Sequence, residues 1–107
     1  RFGPDLILVS AGYDAHWSDP LAWMLLSING FYWIAQTLVA LARELCHGRL
    51  AAGLEGGYNL DGLAHGVAAT FSAMLDQPYE DVLGPASEPE GAVDALIGSI
   101  ARWHSLD

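Results

Sequence analysis

Two short stretches of this sequence hold side chains able to do chemistry together. In Ser10-Ala11-Gly12-Tyr13-Asp14-Ala15-His16, an aspartate follows a small Ala-Gly pair that lets the backbone turn. Its carboxylate can point into a cleft as a hard oxygen ligand for a divalent metal. The same residue can instead accept hydrogen bonds from local amides and merely organise the turn. His16 lies two residues on, and a carboxylate with an imidazole suits zinc. A catalytic zinc site, however, takes three protein ligands and leaves a fourth position for water, and no third ligand adjoins this pair. In Glu55-Gly56-Gly57-Tyr58-Asn59, paired glycines bring bare backbone close to whatever occupies a cleft, and Tyr58 places a phenol beside it. A phenol is protonated at neutral pH and can donate to developing negative charge. Its alternative role is packing, with the hydroxyl at the surface. The chain has no Lys and fits neither GxxxxGKS/T nor GxGxxG, which weakens a phosphate reading of the glycines.

These stretches need elements to hold them. Leu6-Ile7-Leu8-Val9 is a continuous apolar run bounded by turn residues, the pattern of a strand covered on both faces. Leu50 to Leu54 is a weaker run of the same kind. Between Asp19 and Arg43 no residue is charged, yet Pro20, Ser27, Asn29, Gly30 and Gln36 interrupt the stretch. It is better read as a loop followed by a buried helix over 28–46 than as a membrane span. Ile28, Phe31, Ile34, Leu38, Leu41 and Leu45 recur at helical spacing there, with Gly48 as the stop. A second helix starts near Asn59, with Leu60, Leu63, Val67, Phe71 and Met74 on one face. Strand, helix, strand, helix indicates a parallel α/β sheet. Ligands of such sheets gather outside the carboxyl ends of the strands, where both chemically equipped loops lie. Residues 77–90 contain three prolines and four acidic residues and read as a surface connector. Ser87 and Glu90 form a capping box for a last, docked helix carrying Val93, Leu96, Ile97, Ile100 and Trp103.

Composition excludes several classes. The 107 residues allow one ordinary domain, and 52% hydrophobic residues exclude intrinsic disorder. Thirteen acidic residues against four arginines give a net charge of −9, which repels phosphate and makes nucleic acid a poor partner. The single cysteine, Cys46, cannot form an internal disulfide, so a cytoplasmic location is expected. The opening Arg1-Phe2-Gly3-Pro4 reads as part of a longer protein. His47, His65 and His104, at a helix end, within a helix and in the last helix, are read as surface or packing residues.

Taken in order, Pro4 to His16, Asp19-Pro20-Leu21-Ala22, Leu26-Ser27 with Gly30-Phe31, and Leu54-Glu55-Gly56-Gly57-Tyr58-Asn59 closely resemble the C-terminal third of a known superfamily. It is that of the zinc-dependent histone deacetylases and acetylpolyamine amidohydrolases. The Leu-Glu-Gly-Gly-Tyr-Asn form is similar to its class II and prokaryotic branch. The resemblance covers about residues 2–75. It implies the C-terminal part of a parallel-sheet, three-layer α/β/α arginase/deacetylase-like fold. Residues 1–76 would belong to the catalytic domain, 77–90 to the connector and 91–107 to the C-terminal helix.

By the same resemblance, Asp14 corresponds to the second aspartate ligand of Zn2+, and Tyr58 to the tyrosine that polarises the acetyl carbonyl. Gly56 and Gly57 match glycines lining the channel for the acyl-lysine stem. Leu21 falls at the channel rim, where an acidic residue is associated with acetylpolyamine preference; an apolar one leans toward acetyl-lysine or another acyl amide. Asp19 resembles a structural residue of the Asp-Pro turn. His16 has no ligand role in the pattern and is expected to bond within its own loop. The remaining ligands and the paired histidines that act as general base and acid belong to an upstream loop of the family. The implied function is part of a zinc-dependent amidohydrolase that removes acyl groups from lysine or small amines, inactive as this chain alone. Two alternatives stay open: an acetylpolyamine deacetylase, and a non-catalytic assembly module with Trp17, Trp23, Trp33 and Trp103 as interface anchors. Neither membrane nor nucleic acid is an expected partner, and oligomeric state is not legible.

Overall fold

The uncharged stretch after Asp19 divides at Ser27. In the computed structural model, which describes residues 2–89 and 91–106, the Ser27 hydroxyl accepts the Gly30 N–H at 3.2 Å and α1 runs Ile28–Cys46. This side-chain acceptor satisfies one of the amides that a helix start leaves unpaired. The helix ends on His47 at φ 58 and Gly48 at φ 79, so the left-handed stop is shared between them. Strand β1 covers Ile7–Ala11, later than the Leu6 to Val9 reading, and β2 covers Leu50–Leu54. Asn59 caps α2, Leu60–Met74, by accepting the Gly62 N–H at 2.9 Å. The last helix, α3, is Asp94–His104. No helix among the described residues is long and apolar enough to cross a membrane.

β1 and β2 pair in parallel, from Ile7 opposite Leu50 to Ala11 opposite Leu54. Parallel neighbours need a crossover, which α1 supplies. Both strands therefore end on the same side, and their following loops share one rim. The ladder continues into those loops: Glu55 donates to the Ala11 carbonyl at 2.9 Å and Tyr13 to that of Gly56 at 2.8 Å.

The core lies at the Tyr13 loop and the helices. Tyr13, Ile28, Phe31 and Ala69 form its centre, with Leu26, Leu63, Val67, Tyr79 and Leu83 packed around them. Of the predicted stripe on α1, Ile28 and Phe31 are buried and Leu38 is half-buried, but Ile34, Leu41 and Leu45 are exposed, and the buried face continues instead through Ala35, Val39, Ala42 and Cys46. Small residues win there because α1 and α2 lie close together, with Ala69 and Ala73 buried on the α2 side. Leu8 is 75% exposed, so the expectation of a strand covered on both faces is not met among the described residues. Between the sheet, α1 and the loop before it lies an apolar hollow of about 520 Å³, bordered by Val9, Ala11, Leu26, Ile34 and Leu38.

The connector lies at the surface with bonds that its composition did not show, and the last helix differs from expectation. Residues 77–84 are tied to the body: Tyr32 donates to the Gln77 carbonyl, and Asp81 accepts the Asn29 amide at 3.0 Å. Helix α3 buries none of its residues, so it is not docked on the described body. It has no side-chain cap: Ser87 bonds Glu88, and Glu90, the other half of the predicted box, lies outside the described residues.

Tyr13 sits flat against α2 because Gly66 has no side chain; a Cβ there would collide with its ring. Its hydroxyl donates to Thr70 Oγ1 at 2.8 Å, since the Thr70 hydroxyl is itself committed to the Gly66 carbonyl. Gly66→Ala in the full-length protein is therefore expected to lower stability by about 1–3 kcal/mol, the usual cost of overpacking. Denaturant unfolding of the two proteins, compared at equal slope, measures it.

Candidate active site

At the rim, Asp14 stands between two glycines. A Cβ on Gly12 would lie 2.8 Å from Asp14 Oδ1, and one on Gly56 2.8 Å from Oδ2. Any side chain at either position would displace the carboxylate. Among the described residues no group donates a hydrogen bond to Asp14. This removes the turn-organising role that an isolated aspartate ordinarily plays. What remains is a half-buried carboxylate in a cradle of bare backbone with its lone pairs free. Such a group fits a hard cation as one ligand of several.

The turn-organising role falls to Asp19. This residue is buried, and its two oxygens serve two different loops. Oδ1 accepts the amides of Leu21 at 2.8 Å and Ala22 at 3.3 Å, while Oδ2 accepts the amide of Tyr58 at 2.8 Å. Burial opposes its charged form, but the amides of Tyr58, Leu21, Ala22 and Asn59 outweigh that and hold its carboxyl below the ordinary range. One carboxylate thus brings rim residue Leu21 next to Tyr58.

Tyr58 is 57% exposed, with its backbone fixed and its ring open to a ligand. Gly57 before it has φ 138, and a Cβ there would meet Leu63 at 3.0 Å and Tyr13 at 3.2 Å. The glycine pair therefore turns the chain outward at Tyr58 while packing its own back on the core. Gly56 meets Asp14, two residues before the phenol, so both predicted functional residues belong to one rim. Ser10 strengthens the rim by donating to Glu55 at 3.0 Å.

His16 does not join Asp14. It is fully buried, stacked on Phe31, and its Nδ1 meets Ser18 Oγ at 2.8 Å within its own loop. Burial lowers its pKa despite the opposing charges of Asp81 and Asp19, so the ring is neutral at pH 7. Its Nε2 has no partner among the described residues. His65 Nδ1 bonds the Tyr79 hydroxyl at 2.6 Å, a packing role. Three or more metal-ligating side chains do not converge anywhere among the described residues. Sequence reasoning missed the span from Asp19 to Tyr58; the signal present was a buried-type aspartate before Pro20, with nothing to name its distant partner.

Comparison with known proteins identifies the family. The histone deacetylase domain profile matches residues 1–74. A rice relative, "Histone deacetylase 10, chloroplastic" from Oryza sativa subsp. japonica, is 44% identical over 99% of this chain and 25% of its own length. A "Probable deacetylase" of Archaeoglobus fulgidus is 43% identical over 100% of the chain and 28% of its own. The human "Polyamine deacetylase HDAC10" is 36% identical over 99% of the chain and 16% of its own. The chain thus spans between 16 and 28% of the length of these relatives. Among solved structures, the HDA15 HD domain superposes at a TM-score of 0.70, with 30% identity over 94% of this chain and 26% of that one. The histone deacetylase Clr3 gives 0.68, with 27% identity over 94% of this chain and 15% of that one. With its profile, its relatives and its parallel α/β fold in agreement, the chain belongs to the histone deacetylase domain family.

Proposed function

We propose that this chain supplies one metal ligand and the oxyanion donor of a zinc-dependent amidohydrolase that removes acetyl groups from lysine or small amines. The observation that carries the reading is the unpartnered Asp14 carboxylate, cradled by Gly12 and Gly56 on the rim that also holds the open Tyr58 phenol. Asp14 would hold Zn2+ together with ligands from outside this chain. When bound, the ion supplies a water activated near neutral pH and a polarised carbonyl.

The chain's own residues do the rest. Tyr58 donates its phenolic proton to the carbonyl oxygen as negative charge builds there, in a position its Asp19-bound amide fixes beforehand. Gly56 and Gly57, whose absent side chains make way for Asp14 and the core, would present bare backbone to a slender acyl-amine stem beside the phenol. Leu21, exposed and apolar, would border the mouth, where it offers no anion to a second ammonium group. This favours an acetyl-lysine or other acyl amide over an acetylpolyamine. By itself the chain is inactive, since it contributes one ligand and no paired histidines for proton transfer.

Three outcomes in the full-length enzyme test this reading. Tyr58→Phe should keep its zinc and lose roughly a hundredfold or more in turnover of an acetyl-lysine peptide; near-normal kcat removes Tyr58 from the chemistry. Asp14→Ala should lose metal as well as activity. Unchanged zinc stoichiometry after dialysis contradicts that assignment. Asp19→Asn places an amide donor where two backbone donors converge, so kcat should drop with zinc retained. The stability advantage of wild type over this variant has a defined pH window. The unfolded Asp19 carboxyl protonates near pH 4 and the folded one at lower pH. The advantage is fully present above about pH 5 and shrinks as pH falls through 4 toward the folded value. Unfolding free energies measured across that range give the curve directly.

A further inference from the structure

The segment after α2 has the composition of a connector but the bonds of a strap. Asp81 Oδ2 accepts the Asn29 amide at 3.0 Å, at the start of α1. Its Oδ1 accepts the amides of Leu83 at 3.0 Å and Gly84 at 2.9 Å, folding the strap into a turn. That turn presents the Gly84 carbonyl, which accepts the Trp17 indole N–H at 2.9 Å. Tyr79 and Leu83 pack on the core beside it, and Tyr79 also bonds His65. One carboxylate thus ties the first turn of α1 to an aromatic side chain in the rim loop.

Trp17 lies between the two functional aspartates. Its amide donates to the Leu26 carbonyl at 3.0 Å, and Leu26 donates back to Ala15 at 3.0 Å. Asp19 follows in the next turn, its amide on the His16 carbonyl at 2.9 Å. The side chain that fixes Tyr58 is therefore carried by a turn whose only bond to the strap, among the described residues, is the indole of Trp17.

We propose that residues 77–84 are a positioning element of the active site, in which Asp81 and Trp17 hold the Asp19 turn and, through it, the Tyr58 amide. This rests on the assignment of Tyr58 as oxyanion donor. Neither Asp81 nor Trp17 touches substrate; their effect is on where the phenol stands. Small misplacements of a reacting group cost up to about a hundredfold in rate, so loss of one link in a relay of this length should cost less.

The test is a double-mutant cycle in the full-length enzyme, with zinc content and steady-state kinetics on an acetyl-lysine peptide measured for each protein. Trp17→Phe removes the indole donor and keeps an aromatic ring. Asp81→Asn keeps one acceptor oxygen and serves as a second, independent probe should the first fail to fold. Each is expected to lower kcat about fivefold to tenfold with KM and zinc unchanged. In the Tyr58→Phe background the same substitutions should change the residual kcat less than twofold, because the group they position is already gone. Equal losses in both backgrounds, the mark of a lowered folded fraction, overturn the proposal. So does a Trp17→Phe enzyme within twofold of wild type while Tyr58→Phe has collapsed. A near-wild-type Tyr58→Phe enzyme overturns the Tyr58 assignment and the proposal together, which separates that failure from the strap's own.

Discussion

A single buried carboxylate holds the two rim loops together. Asp19 comes from the loop after β1 and reaches Tyr58 in the loop after β2, while its other oxygen stays with Leu21 and Ala22. Taking a charge out of water is unfavourable unless donors replace the water, and backbone amides do so without bringing a second charge. The arrangement leaves the loops no independent freedom. The parallel ladder brings them to one rim, and the carboxylate then fixes their relative height.

Absent side chains matter as much as present ones. Gly12 and Gly56 leave Asp14 its space, and Gly66 lets Tyr13 lie against α2. Each acts by removing a Cβ from a place where another group must sit. The loop after β1 is thereby held from below by Tyr13, from the side by the Gly56 carbonyl and at its far end by Asp19. The Asp14 carboxylate is thereby presented in one place, since ordering it beforehand removes the entropy that a freely moving side chain would lose on meeting a ligand.

Local signals were legible in the sequence and distant ones were not. Ser27 and Asn59 marked their helix starts because a cap is set by residues three positions apart. Leu50 to Leu54 was legible as a strand from a run of apolar residues alone. The buried face of α1 was legible at Ile28 and Phe31 but not further along, because periodicity shows that a face exists but weights it toward large side chains. A closely packed partner selects Ala35, Val39 and Ala42 instead. The connector's bonds were not legible for a related reason: prolines and acids describe a loop's composition, whereas Asp81 acts through partners far along the chain. Asp14 and Tyr58 were legible as candidates from their loops at the strand ends, and a family resemblance supplied their expected roles, since no spacing rule links them. Their cradle and their tether became visible only in three dimensions.

The sheet of two strands has a further consequence. β1 and β2 each leave one lateral row of backbone groups unmatched among the described residues, beside the uncovered Leu8 and Leu54. Such rows are templates for any extended segment that drifts past. An edge in this state favours lateral pairing, and a covering strand on either side would remove it.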